Sequence, residues 1–87
     1  MKIEKNFILR QIAGDYIIIP TGKTSLTFNG MITLNEQGAF LWQKLYSEIT
    51  EEQLVDALLA EYETDRQTAQ ADVAEFLDIL RHYKMLE

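Results

Sequence analysis

Along the chain the spacing of apolar and polar positions changes character near residue 35. Before it, short β-branched and aromatic runs are broken by turn residues; after it, apolar residues recur every three or four positions. Phe7-Ile8-Leu9-Arg10-Gln11-Ile12 predicts a first strand. Ala13-Gly14-Asp15 predicts a turn in which Gly14 is free to take positive φ. Tyr16-Ile17-Ile18-Ile19 is the strongest strand signal, and its unbroken β-branched and aromatic run predicts burial on both faces. Pro20 removes a backbone donor, and Thr21-Gly22-Lys23 predicts a second turn. Ser25-Leu26-Thr27-Phe28 alternates polar with apolar, and Met31-Ile32-Thr33-Leu34 continues as strand. Between them Asn29-Gly30 reads either as a type I′ hairpin turn or as a bulge that kinks one long strand.

Three helices are predicted from residue 35 onward. Asn35 is placed to cap the first, whose apolar positions are Ala39, Phe40, Leu41, Trp42, Leu45 and Tyr46, with Gly38 in its first turn allowing close backbone approach. Thr50-Glu51-Glu52-Gln53 is a capping box opening the second, with Leu54, Val55, Leu58, Leu59 and Tyr62 as its buried stripe. The third begins after Asp65. Ala69, Val73, Phe76, Leu80 and Tyr83 line one face at alternating spacings of four and three, Leu77 widens that face, and Met85-Leu86 forms a short extended tail packed on the core. The expected fold is α+β: one domain spanning 1–87, with a three-stranded antiparallel sheet followed by three helices.

Charge sharpens the division. The net charge is -6 over 87 residues. Residues 1–44 carry five basic and three acidic groups, and residues 45–87 carry three basic and eleven acidic groups, so the helical half is the acidic half. Such a balance argues against nucleic acid and against an anionic membrane as partners, since both need a basic face. No segment has the roughly 18 apolar residues of a membrane span, and the N-terminal residues lack signal-peptide character, so a cytoplasmic location is expected.

Candidate chemistry is sparse. With no cysteine and one histidine, His82, thiol nucleophiles and Cys-ligated metals are excluded and a His-rich cage cannot form within one chain. The four glycines, at 14, 22, 30 and 38, punctuate turns and match no phosphate loop. Asp72, Glu75 and Asp78 lie on the polar side of one helix, which does not make the convergent oxygen cage a metal needs. His82 reads as an exposed side chain at the helix C-terminal dipole, and Trp42 as core. No catalytic residue, cofactor or metal is expected, which points to a binding module. Ile79 stands off the main apolar stripe of the third helix, and a three-stranded sheet leaves two open edges. A free edge beside that apolar flank makes a groove in which an extended peptide can add as a strand; the alternative, which an arbitrary small domain favours, is an edge protected by its own twist.

Leu34-Asn35-Glu36-Gln37-Gly38-Ala39-Phe40-Leu41-Trp42, followed by Thr50-Glu51-Glu52-Gln53-Leu54 and Asp72-Val73-Ala74-Glu75-Phe76-Leu77, resembles the PqqD family of small peptide chaperones, the RiPP recognition elements. The resemblance runs from about Phe7 to Leu86. It implies a winged helix-turn-helix-like domain that takes the leader of a ribosomally made precursor peptide as an extra strand on its third strand, against its third helix. It also implies a partner enzyme, often a radical S-adenosylmethionine protein, that modifies the rest of the precursor. Transferred to this sequence, the expected peptide contacts are Thr27, Phe28, Met31, Ile32 and Thr33 on the strand side and Asp72, Glu75, Phe76, Ile79 and Tyr83 on the helix. The stretch from Pro20 to Leu34 is longer than the family's usual tight turn. Two other readings remain at this point: a winged-helix DNA-binding or transcription-associated domain, and an oligomerisation adaptor whose edges pair in a homodimer.

Overall fold

A computed structural model describes residues 1–22 and 32–87. The expectations for Ser25–Phe28, Asn29-Gly30 and Met31, and with them the candidate contacts Thr27, Phe28 and Met31, lie outside the described residues. Strands β1 (Phe7–Ile12), β2 (Asp15–Pro20) and β3 (Ile32–Leu34) form an antiparallel sheet in the order β1-β2-β3. Helices α1 (Glu36–Lys44), α2 (Glu51–Glu61) and α3 (Arg66–His82) follow, so the α+β order read from the pattern is the order observed.

Each helix starts where its sequence supplies an acceptor for orphan amides. Asn35 Oδ1 accepts from Gly38 N–H at 2.7 Å. Thr50 Oγ1 accepts from Gln53 N–H at 3.1 Å while Gln53 Oε1 accepts from Thr50 N–H at 2.9 Å, completing the capping box. Asp65 Oδ1 accepts from Thr68 N–H at 2.7 Å. The C-terminus of α3 closes as a Schellman motif: Lys84 takes φ +58°, its N–H donates to Arg81 O at 3.1 Å, and Met85 N–H donates to Leu80 O at 2.8 Å. That turn drives Met85 back into the core, where it is fully buried.

The core packs Ile18 from the sheet against Leu41, Trp42, Leu45, Leu54, Leu58, Val73, Leu77 and Leu80 from the helices. Trp42 is wholly enclosed, and its indole N–H has no described hydrogen-bond partner, so its contribution is apolar. Three expectations need correcting. The strand Tyr16–Ile19 is not buried on both faces: Ile18 alone is fully covered and its neighbours are half-buried, because the helices cover one face of the sheet only. Tyr46 and Tyr83, assigned to buried stripes, are 45% and 42% exposed, since each lies just beyond the end of its helix.

The pattern also misses the N-terminal segment. Ile3 is buried and bridges Leu86; Ile3 N–H donates to Leu45 O, Glu4 N–H to Met85 O, and Glu87 N–H to Lys2 O. The C-terminal tail is therefore held by residues 2–4.

Candidate functional site

The β1–β2 turn determines which backbone groups of the sheet face outward. Ala13 (φ 52°) and Gly14 (φ 86°) both take positive φ, as a two-residue type I′ turn requires. Such a turn closes on a hydrogen-bonded pair, here Ile12 and Asp15, and antiparallel pairs alternate from there. Arg10–Ile17 and Ile8–Ile19 are then hydrogen-bonded pairs, while Leu9 and Ile18 turn their backbone groups away from each other. Two bonds agree with that parity: Leu9 N–H donates outward to Tyr46 Oη at 3.2 Å, and Thr21 N–H donates to Asn6 O at 2.7 Å.

Carried across β2, the same alternation aims Tyr16 and Ile18 at Leu34 and Ile32. Thr33, opposite Ile17, turns its N–H and C=O away from β2 toward the free edge. Among the described residues no group bonds them. The C-terminal tail, engaged with residues 2–4, does not lie there. The two sheet edges are thus unequal: β1 has one outward N–H capped by a tyrosine hydroxyl, and β3 presents an unpaired residue.

Beside β3 runs α3, antiparallel to it, and the space between is a groove with two ends. At the Leu34 end it is lined by Asn35, Gln37, Gly38, Asp72 and Glu75. At the Ile32 end it opens into a cavity of about 700 Å³ where Asp78, His82 and Tyr83 join the lining, and Glu75, Phe76 and Ile79 are shared by both ends. Side chains alternate along β3, so half-buried Ile32 and Leu34 face the groove while exposed Thr33 faces away and offers only its backbone. Ile79 is 41% exposed and gives α3 an apolar side chain at the groove. Gly38 seats α1 against the groove's end: a Cβ there would lie 3.3 Å from Leu34 Cβ and 3.2 Å from Asn35 Oδ1.

The charges around the groove are unevenly compensated. Asp78 pairs with Arg81 at 3.4 Å. Asp72 Oδ2 accepts a hydrogen bond from Gln37 Nε2 at 3.2 Å, and among the described residues no cation pairs with Asp72 or Glu75. Among the described residues no three His, Cys, Asp or Glu side chains are grouped to hold a metal. Two titration shifts fall outside the groove. Burial, then the Glu36 and Glu61 carboxylates, raises the Tyr62 phenol; hydrogen bonds from the Thr68 backbone and side chain lower the Asp65 carboxyl.

Seven of the ten sequence-derived contacts are described, and the fold gathers all seven, Ile32, Thr33, Asp72, Glu75, Phe76, Ile79 and Tyr83, along this one groove. Leu34, Gln37, Asp78 and His82 line it too, beyond the residues read from the sequence. His82 was assigned to the helix dipole, yet it stands one turn after Asp78 on the groove side. The signal that could have found it is the i, i+3, i+4 spacing Glu75, Asp78, Ile79, His82, Tyr83.

Among curated proteins no relative matches the sequence. Solved structures with the same fold include TbiB1 in complex with the TbiA(beta) leader peptide, 29% identical, with a TM-score of 0.79 covering 100% of this chain and 95% of that one. They also include lasso peptide synthetase B1 complexed with the leader peptide, 20% identical, with a TM-score of 0.75 covering 97% of this chain and 93% of that one. The sequence matches PqqD, coenzyme PQQ synthesis protein D, over residues 15–86. Sheet order, capped helices and sequence match agree, and the chain belongs to the PqqD family.

Proposed function

We propose that this protein is a non-catalytic recognition element: it binds the leader segment of a ribosomally synthesised precursor peptide as a fourth strand on β3, against α3, and presents the precursor to a separate modifying enzyme. The observation that carries the reading is the outward-facing backbone of Thr33 beside the exposed Ile79 of α3. Strand addition takes affinity from main-chain hydrogen bonds and selectivity from side-chain pockets, and it requires no catalytic group. Family membership and the leader peptide bound to the 29%-identical TbiB1 support the same reading.

The resemblance points to a radical S-adenosylmethionine protein as the receiving enzyme. Copurification of the tagged protein with a radical S-adenosylmethionine enzyme, compared with modifying enzymes of other classes, tests that assignment. A cytoplasmic location follows from the site of precursor synthesis; no described helix is long and apolar enough to cross a membrane.

A DNA-binding role fits the charges poorly. Both arginines of α3 are already engaged, Arg66 with Asp56 at 3.0 Å and Arg81 with Asp78 at 3.4 Å, and the helix otherwise presents Asp72 and Glu75. The test is titration of the protein with a synthetic leader from a neighbouring precursor gene, followed by amide NMR. One-to-one binding at about micromolar Kd, roughly -8 kcal/mol, with shifts along 32–34 and 72–83, is expected. Binding that leaves both segments unmoved, or tight salt-sensitive binding to duplex DNA instead, overturns the reading. Sedimentation in the same samples reports whether a homodimer competes for the β3 edge.

A further inference from the structure

We propose, resting on the strand-addition reading, that the groove selects a particular two-residue pattern in its guest: a Lys or Arg, then any residue, then a large apolar residue, read from N- to C-terminus. The inference follows from parity and charge. A guest residue that pairs with Thr33 shares its side-chain direction and points away from α3. Its two neighbours sit opposite Leu34 and Ile32 and point into the groove. Those neighbours are two positions apart, about 6.8 Å along a strand. On α3, Glu75 and Ile79 are four positions apart, about 6 Å along the helix. The two repeats match, so one guest side chain meets Glu75 and the other meets Ile79.

The ends of the groove differ in what they accept. At the Leu34 end, Asp72 and Glu75 carry negative charge with no described cation beside them. Glu75, Phe76 and Ile79 line both ends, but Asp72 lies at the Leu34 end only, while toward the Ile32 end the exposed Ile79 offers apolar surface and Asp78 is already offset by Arg81. A cationic side chain therefore suits the first position and an apolar one the second. Antiparallel addition sets the order: it is the more stable pairing, and it lets one guest residue make both hydrogen bonds to Thr33. A guest running that way passes Leu34 before Ile32, which puts the basic residue first.

The experiment is selection from a displayed library of random nine-residue peptides on the full chain, with amide NMR of the winners. Enrichment of Lys or Arg two positions before Leu, Ile, Phe or Tyr, with the Thr33 amide shifted on binding, is the expected result. A winning peptide should bind Glu75→Lys about fivefold more weakly and Glu75→Gln with an intermediate loss, both losses shrinking in high salt. Glu75 is exposed, so both variants should keep the wild-type circular dichroism spectrum. Reselection on Glu75→Lys should replace the basic residue with Asp or Glu. Winners that shift Thr33 but show no preference at the basic position overturn the pattern and leave strand addition standing. A failure to select any peptide that shifts Thr33 overturns both.

Discussion

Replacing Thr33 by proline separates the protein's own sheet from the strand it is built to receive. Proline removes one N–H and fixes φ near −65°. In the interior of a sheet that deletes a ladder bond, but on an edge strand with the N–H outward it deletes nothing the fold uses. The parity derived from Ala13-Gly14 places the Thr33 N–H outward, away from β2. Thr33→Pro should therefore fold with a stability within about 1 kcal/mol of wild type. Leu34→Pro, one residue along, removes the N–H aimed at Tyr16 and should cost at least about 1–3 kcal/mol from the orphaned acceptor alone.

Guest binding should respond in the opposite order of severity. Thr33→Pro takes away one of the two edge bonds and leaves a guest carbonyl without its donor on association. A lost hydrogen bond with a desolvated partner costs about 1–3 kcal/mol, roughly a 5- to 150-fold weakening. Thr33→Ala keeps the N–H and loses a side chain that points away from the groove, so its affinity should stay within about twofold of wild type. Calorimetric titration of the leader peptide into the three folded proteins, paired with urea melts, gives both quantities. A folded Thr33→Pro protein that binds as wild type would refute the parity argument. An alanine variant as weak as the proline one would show that the side chain, and not the main chain, makes the contact.

Other perturbations test the elements that hold this edge. Tyr46→Phe frees the outward Leu9 N–H on β1, and should raise self-association in sedimentation velocity while changing stability by no more than about 1 kcal/mol; unchanged sedimentation would mean the hydroxyl does not guard that edge. Ala13→Asn and Lys84→Gly suit the two non-glycine positions with positive φ, and each should raise the urea-derived stability by about 0.5–1 kcal/mol; a loss at either would mean that positive φ costs alanine or lysine nothing there. Asp65 tests the cap of α3 through pH. Its carboxyl is held below the ordinary value of 3.8, so the stability it lends is fully present above that value and disappears as pH falls through the folded-state pKa. Asp65→Asn keeps a capping oxygen but does not titrate, so wild type should lose more stability than the variant between pH 6 and pH 3.

The helical half is legible because its signals are local. Asn35, Thr50 with Gln53, and Asp65 each satisfy amides within their own first turn, so the sequence window contains both partners. The apolar stripe of α3 is read for the same reason, down to Ile79 standing outside it. Errors begin where a residue's surroundings come from far along the chain. Tyr46 has the composition of core but leaves its helix to meet Leu9, 37 residues away. Ile3 looks like an unremarkable terminal residue until Leu45, Met85 and Leu86 close around its segment. His82 and Asp78 look like solvated helix surface until β3 is laid alongside them.

The groove itself occupies both categories. Its side chains are visible as spacing on α3, but the usable edge is a matter of parity, and parity is set by a count. A two-residue turn at Ala13-Gly14 makes Ile12 and Asp15 a hydrogen-bonded pair, which turns Ile18 toward β3 and Thr33 outward. A one-residue slip of β3 against β2 would pair Thr33 inward and exchange the faces of Ile32 and Leu34, so the apolar side chains would leave the groove at the same step that the backbone groups of Thr33 did. Main-chain recognition and side-chain recognition thus cannot drift apart: the burial of Ile32 and Leu34 that stabilises the register is also what keeps the Thr33 N–H and C=O facing a guest.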